Sequence, residues 1–503
     1  MKNILKHFPN KIVLVLSTIY FFLILKFAIT SVPIQMSANP STNRFLNLMM
    51  VVLIGAIGIA AVYLLRMILN LSIFEKQPVR IFFIILVALL PRILWLSIVD
   101  IKPDSDFALY NSLAHAFSRG EDAGGKYVAL FPHTFGYPFI LGLVYSIFST
   151  SKYWAFALNI LFEIGTAVLV YLTGKRISNW KAGFIAAIAW AAWASHIFYS
   201  ALINTESLYT FLMILIIYAY FRVLPRKGRP LCSYGFYFAL GALCAITNAI
   251  RPLATVLMIA IAIMEVSRVL KRKNGHISAL TSLAALFAAY FAFSTIIGMY
   301  VSHRIGYDIA KSPLGFNTYV GSNVDSTGMW NQDDAQVLSD MMHEEEFSAQ
   351  KIHDLLFEEA LLRLRRQGIG YFRLAYNKNK IMWDRDDEIV TYLLAGNNSE
   401  STQTILKVDR YPNRLKFICN YYYYVFLILA FLGVLLLYKI DISNEITFLL
   451  LMFMGIGATH TIVEVHGRYH YSAMLIICIL AGVAAGYGSV KPALESSQKP
   501  ELF

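Results

Sequence analysis

Two aspartates, Asp104 and Asp106, stand two positions apart in the segment KPDSDFALYNSLAHAFSRG (102–120), which follows a long apolar run. Apolar residues then recur at three-to-four-residue spacing, which predicts an amphipathic helix on a membrane surface with both acids at its N-terminal end. Carboxylates at such a position can act as a general base or hold a divalent cation, Mg²⁺ or Mn²⁺. The plainer alternative is that Asp104 only caps the helix.

Two further charged residues stand at the boundaries of later apolar runs. Glu206 opens the run ESLYTFLMILIIYAYF, and Arg251 precedes Pro252 in a tight connection. An ionisable residue at a membrane boundary marks a candidate site, although Glu206 could be only a favourable first-turn carboxylate and Arg251 could only reach lipid headgroups. As a site residue, Arg251 would present a planar guanidinium to a lipid phosphate.

The densest polar run is THTIVEVHGRYHYSAM (459–474), between the last two apolar runs. It brings Glu464, His466, Arg468 and Tyr469 to one connection. So many polar groups are costly at a membrane boundary unless they serve a function. The spacing of the histidines and acids matches no zinc motif.

Basic and aromatic residues also adjoin in YFRLAYNKNKIMWDRDDE (371–388). Arg373, Lys378 and Lys380 stand close to Trp383, a combination that suits the lipid–water interface. We therefore predict that these side chains lie at the interface. Lys380 is a further candidate for contact with a phosphate.

The composition indicates which elements must position these residues. Of the 503 residues, 57% are apolar and only 15% are charged, which excludes a soluble multidomain protein and predicts an all-α polytopic membrane protein. The net charge of +12 comes from 43 lysines and arginines against 31 acids. Because the basic residues cluster in short connections, we interpret this charge as the pattern that fixes membrane orientation, and we expect no nucleic-acid partner.

We predict about twelve transmembrane helices, at 11–30, 46–70, 80–100, 155–173, 182–200, 206–223, 233–250, 252–270, 278–300, 417–438, 445–463 and 470–488. The apolar stretch 134–148 contains Pro138 and is short for a span, so we predict a juxtamembrane helix there. With that assignment the basic connections and both termini lie in the cytoplasm. The candidate residues then share the extracytoplasmic side, and compact loops favour a bacterial plasma membrane.

This topology divides the chain into five parts: an additional pair of transmembrane helices at 1–72, a membrane module with the candidate site at 73–300 and its first outer loop at 101–154, an extracytoplasmic subdomain at 301–416, C-terminal transmembrane helices at 417–490, and a cytoplasmic tail at 491–503. The loop at 301–416 is too long for a simple connector. It also has its own amphipathic helical pattern, which predicts a small folded unit.

From about Val79 to Gly488 the chain resembles the GT-C integral-membrane glycosyltransferases, in particular the family 39 type of protein O-mannosyltransferases and the lipid A aminoarabinose transferase. Four marks in order carry the resemblance: Asp106 followed by Tyr110, GYPFILGL (136–143), NTESLYTFL (204–212) and VEVHGRYHY (463–471). The fold that it implies is GT-C-like, with a juxtamembrane helical loop and a small extracytoplasmic subdomain.

The resemblance also implies a reaction. The donor would be a sugar joined to polyprenyl phosphate, the transfer would be inverting, and Asp106 would be the base. Arg251 and Arg468 carry over as residues that bind the donor phosphate. Residues expected to contact the substrates are Tyr110, His133, Glu464, His466 and Tyr469. The acceptor stays open among a cell-envelope polymer, a glycolipid and a protein.

Two other classes of function stay open. A transporter or flippase of lipid-linked or small polar substrates would also be polytopic, but it should place ionisable or helix-breaking residues near the bilayer midplane. Here the charged residues gather at the boundary of the apolar runs. A structural or assembly protein predicts no clustered acids and bases on one side.

Overall fold

The computed structural model describes residues 2–36, 44–223, 230–271, 276–397, 406–439 and 442–486. The tail 491–503 and most of the basic connections 225–230 and 271–276 lie outside these residues. Every regular element in the described residues is helical, which confirms the all-α prediction.

The α-helices in chain order are α1 Lys2–Met36, α2 Arg44–Ile68, α3 Gln77–Ile98, α4 Ser105–Ser118, α5 Gly125–Leu130, α6 His133–Ile147, α7 Lys152–Ile177, α8 Trp180–Ala191, α9 Ala194–Tyr199, α10 Glu206–Val223, α11 Pro230–Asn248, α12 Ala254–Lys271, α13 His276–Ile305, α14 Leu314–Gly321, α15 Gln332–His343, α16 Ala349–Gln367, α17 Gly370–Trp383, α18 Ile389–Ala395, α19 Pro412–Leu436, α20 Asn444–Ile462 and α21 Met474–Ala485.

Eight helical segments within the described residues are long and apolar enough to cross a membrane: Asn10–Ser31, Gln77–Ile98, Lys152–Ile177, Glu206–Val223, Ala279–Ile305, Pro412–Lys439, Asn444–Ile462 and Gly467–Ala485. Each coincides with a predicted span. The other four predicted spans fall on α2, on α8 with α9, on α11 and on α12. Twelve crossings therefore stay a prediction.

The predicted span 182–200 is not one continuous helix. Helix α8 ends at Ala191 and α9 begins only at Ala194, so carbonyl groups at the end of α8 lose their helical partners. The Arg92 side chain of α3 supplies a donor, with its Nη1 atom 2.8 Å from the Ala191 carbonyl oxygen. Because neither Gly nor Pro stands at the break, the sequence carries no local signal for it.

The stretch 134–148 forms α6, a helix of 15 residues that packs on α4. The two helices approach closely at Gly142, where a Cβ atom would lie 2.9 Å from Cβ of Phe117 and 3.0 Å from the Ala114 carbonyl oxygen. A larger residue at this position would separate the helices. The first predicted loop thus contains a compact helical hairpin in which the end of α4 packs on α6.

Two apolar cores organise the described residues. The main core joins most of the long helices and extends into residues 382–393. The second core contains residues of the first loop, of the end of α13 and of the segment that follows it, among them Leu113, Phe117, Val128, Phe135, Val301, Phe316, Ile352 and Leu356. The first part of residues 301–416 thus packs on 113–135, and part of 382–415 belongs to the main core. The division of the chain into five parts stays a prediction.

Helix α17 is exposed at its first turn and buried toward its end, where the sequence predicted an interfacial segment. Lys378 and Trp383 are both fully buried, so the interfacial prediction is wrong for these two residues, whereas Arg373 is exposed. The Lys378 ammonium donates to the carbonyl oxygens of Thr461 at 3.0 Å and Val463 at 2.7 Å. Since these carbonyls replace the water that a buried ammonium loses, Lys378 fixes the connection after α20.

Helix α1 packs against α19, α20 and α17 and contributes buried residues to the main core. Its Tyr20 hydroxyl donates to Asn379 at 2.8 Å, and its Ser31 hydroxyl donates to Asp384 at 3.0 Å. The additional N-terminal helix is therefore built into the bundle. It supports the loop that follows α17.

Candidate active site

The site residues gather at one end of the bundle, where α3, α20 and α1 end and α10 begins; we call this the site end. Asp106 lies in the first turn of α4. The preceding residue, Ser105, has a φ angle of +53°, which is unfavourable for a residue with a side chain. Asp104 occupies the N-cap position without a side-chain capping bond, and its side chain is exposed.

Asp106 forms an ion pair with Arg468, which belongs to the 3-10 helix Gly467–Ala473. The Arg468 Nη2 atom lies 2.5 Å from Oδ2 of Asp106, and the two side chains are 13% and 37% exposed. Burial alone would raise the pKa of Asp106, but the charge and hydrogen bond of Arg468, with the charge of Arg251, hold it below its ordinary value. The carboxylate is thus ionised at neutral pH and still accessible.

Glu206 and Arg251 form a second ion pair, with Arg251 Nη1 2.7 Å from Oε1 of Glu206. Their side chains are 3% and 18% exposed. Asn204 accepts a hydrogen bond from the Ser207 amide at 3.0 Å, which anchors the start of α10. Glu206 is therefore more than a first-turn carboxylate, and Arg251 turns toward the protein instead of extending to headgroups.

Three members of the two ion pairs, Glu206, Arg251 and Arg468, line one small cleft. Its lining residues are Glu206, Tyr209, Thr210, Arg251, Leu253, Arg468, Tyr469, Tyr471 and Ser472. The Arg468 Nε atom is buried and has no hydrogen-bond partner among the described residues. A buried unpaired donor is unfavourable unless a ligand or water satisfies it. The cleft thus offers a guanidinium with one N–H group to spare.

Glu388 is a site residue that the sequence analysis missed. Its Oε2 atom accepts a hydrogen bond from the Arg468 amide at 2.7 Å, and its Oε1 atom contacts Nδ1 of His466. A Cβ atom at Gly467 would collide with the Glu388 carboxylate, so a glycine permits this contact. The run DRDDE (384–388) was the available signal, but nothing in its spacing connects it to a segment near residue 468.

The charges of Asp106 and Arg251 act on the pKa values of Tyr110 and His133. Burial raises the pKa of Tyr110, and burial together with the Arg251 charge lowers the pKa of His133 to about 4. Both side chains are therefore neutral near pH 7. The Nδ1 atom of His133 is buried and has no hydrogen-bond partner among the described residues.

Glu464, His466 and Tyr469 surround Arg468 on its own connection. The Tyr469 hydroxyl donates to Oε1 of Glu464 at 3.2 Å, and the Tyr469 ring lies 5.7 Å from the Arg251 guanidinium. Burial raises the pKa of Glu464 to about 7, whereas burial and the Arg468 charge lower the pKa of His466 to about 4. The structure thus brings together most of the residues that the sequence singled out.

Two predicted site residues lie apart from this cluster. Lys380 does not line the cleft, and its charge acts on Asp384 instead. Asp104 is exposed, while its neighbour Asp106 already faces the guanidinium of Arg468. Within the residues that the structure describes, no group of three or more His, Cys, Asp or Glu side chains could hold a metal ion. A cation at Asp104 and Asp106 stays a prediction.

A buried polar network lies beside the cleft. Arg92 of α3 pairs with Glu163 of α7 at 3.0 Å, and Tyr471 donates to the same carboxylate at 2.7 Å. Next to it, Asp386 accepts hydrogen bonds from Trp193 at 2.7 Å and contacts His470 at 2.9 Å. Ionisable groups therefore also occur inside the apolar helices, and the expectation that they gather only at the boundary is wrong.

Comparison with known proteins gives a partial family match. Residues 132–293 match the family described as dolichyl-phosphate-mannose-protein mannosyltransferase, which is under half of the chain. This range includes Glu206 and Arg251 but neither Asp106 nor Arg468. The match confirms the resemblance to membrane glycosyltransferases over that range.

No curated protein matches the chain. Among solved structures, the crystal structure of ArnT from Cupriavidus metallidurans bound to undecaprenyl phosphate is 13% identical, with a TM-score of 0.38. The alignment covers 82% of this chain and 78% of that one.

Proposed function

We propose that this protein is an inverting membrane glycosyltransferase that moves a sugar from a polyprenyl-phosphate donor to a hydroxyl or amine acceptor. The observation that carries the proposal is the pairing of Asp106 with Arg468 at the edge of a cleft that also contains Arg251. Two cations that line one cleft, one of them paired with a partly exposed base, match the needs of a displacement that releases a phosphate. The family match over residues 132–293 supports the same class of reaction.

In this reaction Asp106 accepts the proton of the acceptor group. The acceptor atom then forms a bond to the anomeric carbon, while the bond from that carbon to the phosphate oxygen breaks. The electron pair of that bond leaves with the polyprenyl phosphate. Because the acceptor attacks in line with the departing oxygen, the configuration at the anomeric carbon is inverted. Asp106 is ionised at neutral pH because Arg468 and Arg251 lower its pKa, and it therefore needs no activation by another base.

Arg468 and Arg251 stabilise the charge that grows on the departing phosphate. Each guanidinium is already paired with one carboxylate, so the four charged groups of Asp106, Glu206, Arg251 and Arg468 sum to zero before the donor binds. The unpaired Nε–H of Arg468 is the donor that a phosphate oxygen can take up. Burial strengthens this interaction, because few water molecules compete for it.

The remaining residues shape the pocket around these groups. The hydrogen bond between Tyr469 and Glu464 keeps the segment between the last two candidate spans ordered. His133 is neutral and half-buried near Arg251 and Asp106, so its unpaired nitrogen is available for a sugar hydroxyl. Glu388 holds the backbone of Arg468 and acts as a positioning residue.

The test is transfer by the purified protein in proteoliposomes. A panel of radiolabelled sugars on undecaprenyl and dolichyl phosphate serves as donor, with membrane extract as acceptor. Wild type is compared with Asp106→Asn, and each assay is repeated with EDTA. The matched control is Asp333→Asn, because Asp333 is likewise a first-turn acid of a surface helix, exposed and remote from the cleft.

We expect transfer with wild type and Asp333→Asn and almost none with Asp106→Asn. Loss of transfer on adding EDTA would bring a cation at Asp104 and Asp106 into the reaction. Equal transfer by wild type and Asp106→Asn would exclude Asp106 as the base. Sugar that accumulates inside liposomes without transfer would overturn the enzyme and favour a transporter or flippase.

A further inference from the structure

The connection between α16 and α17 exposes large apolar side chains, and we call residues 365–373 the α16–α17 tip. Ile369 is 87% exposed and Phe372 is 73% exposed. Gly368 turns the chain with a φ angle of +51°, which favours glycine, and this turn projects Ile369 away from both helices. Side chains of this size are seldom left in water at a tight turn.

The tip lies beside the end of a membrane-spanning candidate. The Tyr371 hydroxyl donates to the Thr461 carbonyl oxygen at 3.3 Å, and Thr461 is in the last turn of the span Asn444–Ile462. Further along α17, the Tyr376 ring packs on Phe27 at 5.0 Å, near the end of the span Asn10–Ser31. The first turn of α17 is therefore level with the ends of two candidate spans.

Three arginines flank the exposed apolar residues. Arg365 and Arg366 precede the turn in the last turn of α16, and Arg373 follows it. All three are exposed, and the side chain of Arg366 is 73% exposed. An apolar tip ringed by arginines is complementary to a lipid surface, because the side chains reach the acyl boundary while the guanidinium groups meet anionic headgroups.

We propose that the α16–α17 tip inserts Ile369 and Phe372 into the headgroup–acyl boundary of the leaflet at the site end, with Arg365, Arg366 and Arg373 on anionic headgroups. The occupant of this surface is the bilayer around the protein itself. The proposal does not depend on the transfer reaction, since it follows from exposure, charge and position alone.

Insertion of the tip sets the depth of the site relative to the lipid. Helix α17 begins at the tip and carries Lys378, whose ammonium binds the carbonyl oxygens of Thr461 and Val463. Glu464 follows Val463 in the chain. Helix α17 therefore links the tip to the segment 463–469, which contains Arg468. A tip anchored in the headgroups thus holds the cleft where a lipid phosphate lies.

The test measures the depth of a fluorophore at the tip. In a Cys232→Ser background the three other cysteines are buried, so Ile369→Cys can be labelled with an environment-sensitive dye and the full chain reconstituted in nanodiscs. Lipids with a quencher high on the acyl chain report insertion, and iodide reports exposure to water. The matched control is Val337→Cys on α15, an apolar residue that is 39% exposed and lies on a helix that packs on α14 and α16.

We expect several-fold stronger quenching by the lipid quencher at position 369 than at position 337, and the reverse order with iodide. Replacing anionic by zwitterionic lipids, or Arg365 and Arg373 by glutamine, should make the dye at 369 shallower. Equal iodide quenching at both positions would overturn insertion. Unchanged depth across the lipid and arginine arms would overturn the headgroup contact, and a thermal melt of each labelled variant shows that it is folded.

Discussion

Two arginine–carboxylate pairs of this molecule lie close together and differ in exposure. Arg92 and Glu163 are 0% and 1% exposed, whereas Arg468 and Asp106 are 13% and 37% exposed. In the first pair the guanidinium also binds the carbonyl oxygens of Ala88 and Ala191. It closes the break after α8 and has no access to a substrate.

In both pairs the arginine Nε–H has no partner among the described residues, but only Arg468 lines the cleft, where a ligand could reach it. The difference teaches that residue type and membrane position do not distinguish a structural charge from a chemical one. A charge that satisfies the backbone supports the fold. A charge with accessible surface at a cleft can serve a reaction.

The largest expected effect is on the transfer rate, and variants of the Asp106–Arg468 pair should show it. Asp106→Asn should lower the transfer rate about 10²- to 10⁴-fold, because the acceptor loses its base. Arg468→Gln should lower it about 10²- to 10³-fold by removing a donor to the leaving phosphate. Since both act in one step, the double variant should lose less than the product of the two factors. Steady-state rates and thermal melts check this.

Melting temperatures of these variants should stay near that of wild type, because Asp106 remains partly solvated. A double variant whose loss equals the full product would show that the two residues act independently. Asp106 and Arg468 would then not serve one reaction step, and the Asp106–Arg468 pair would not differ in this way from the Arg92–Glu163 pair.

The next effect concerns stability. Glu163→Ala leaves Arg92 as an uncompensated buried charge and should cost about 3–5 kcal/mol of folding free energy. Arg92→Met combined with Glu163→Leu should recover only part of that loss, because it removes both charges but leaves the Ala191 carbonyl and the Tyr471 hydroxyl without their partners. Thermal unfolding in detergent measures both variants. Normal melting of Glu163→Ala with abolished transfer would instead make this pair part of the chemistry.

A smaller effect tests the positioning role of Glu388. Glu388→Ala leaves the Arg468 amide unpaired, at a cost of about 1–3 kcal/mol, and should reduce kcat about tenfold. Glu388→Gln retains an acceptor oxygen and should restore most of the activity. Rescue by glutamine distinguishes positioning from a need for the charge. Failure of both variants to the same degree would argue that the carboxylate itself participates.

The smallest effect is a displacement of the pH profile. Because the pKa of Asp106 is held below its ordinary value of about 3.9, its contribution to activity and to stability is present above that value and is lost only as pH falls through the lower, folded-state pKa. In Arg468→Gln, burial remains without the main opposing charge, so the acid limb should move to higher pH. The residual kcat/KM measured against pH gives the direction. An unmoved limb would assign it to another group.

The sequence predicted the helical class and the position of nearly every long helix, because apolar length alone determines them. It also predicted that Asp106, Glu206, Arg251 and Arg468 share one end. The pairing among them was not predictable, since Asp106 and Arg468 are separated by most of the chain and only the packed bundle brings them together.

Three errors share a physical cause. The break after Ala191, the burial of Lys378 and Trp383, and the ion pair inside α3 and α7 all depend on tertiary partners. Backbone carbonyl oxygens accept hydrogen bonds from Arg92 and Lys378. Because every residue has such a carbonyl, the sequence does not show which of them will meet a buried donor. Local pattern therefore could not distinguish a buried lysine from an interfacial one.

The second apolar core has a consequence for biogenesis. Its first half, from Leu113 to Phe135, leaves the ribosome about 166 residues before Val301, a delay on the order of ten seconds at typical elongation rates. During that interval Phe117 and Phe135 can pack only on each other and on the rest of the first loop, because Val301, Phe316 and Ile352 have not yet been made. The surface that these later residues cover stays open until then, and the timing of translation becomes part of how this protein reaches its native state.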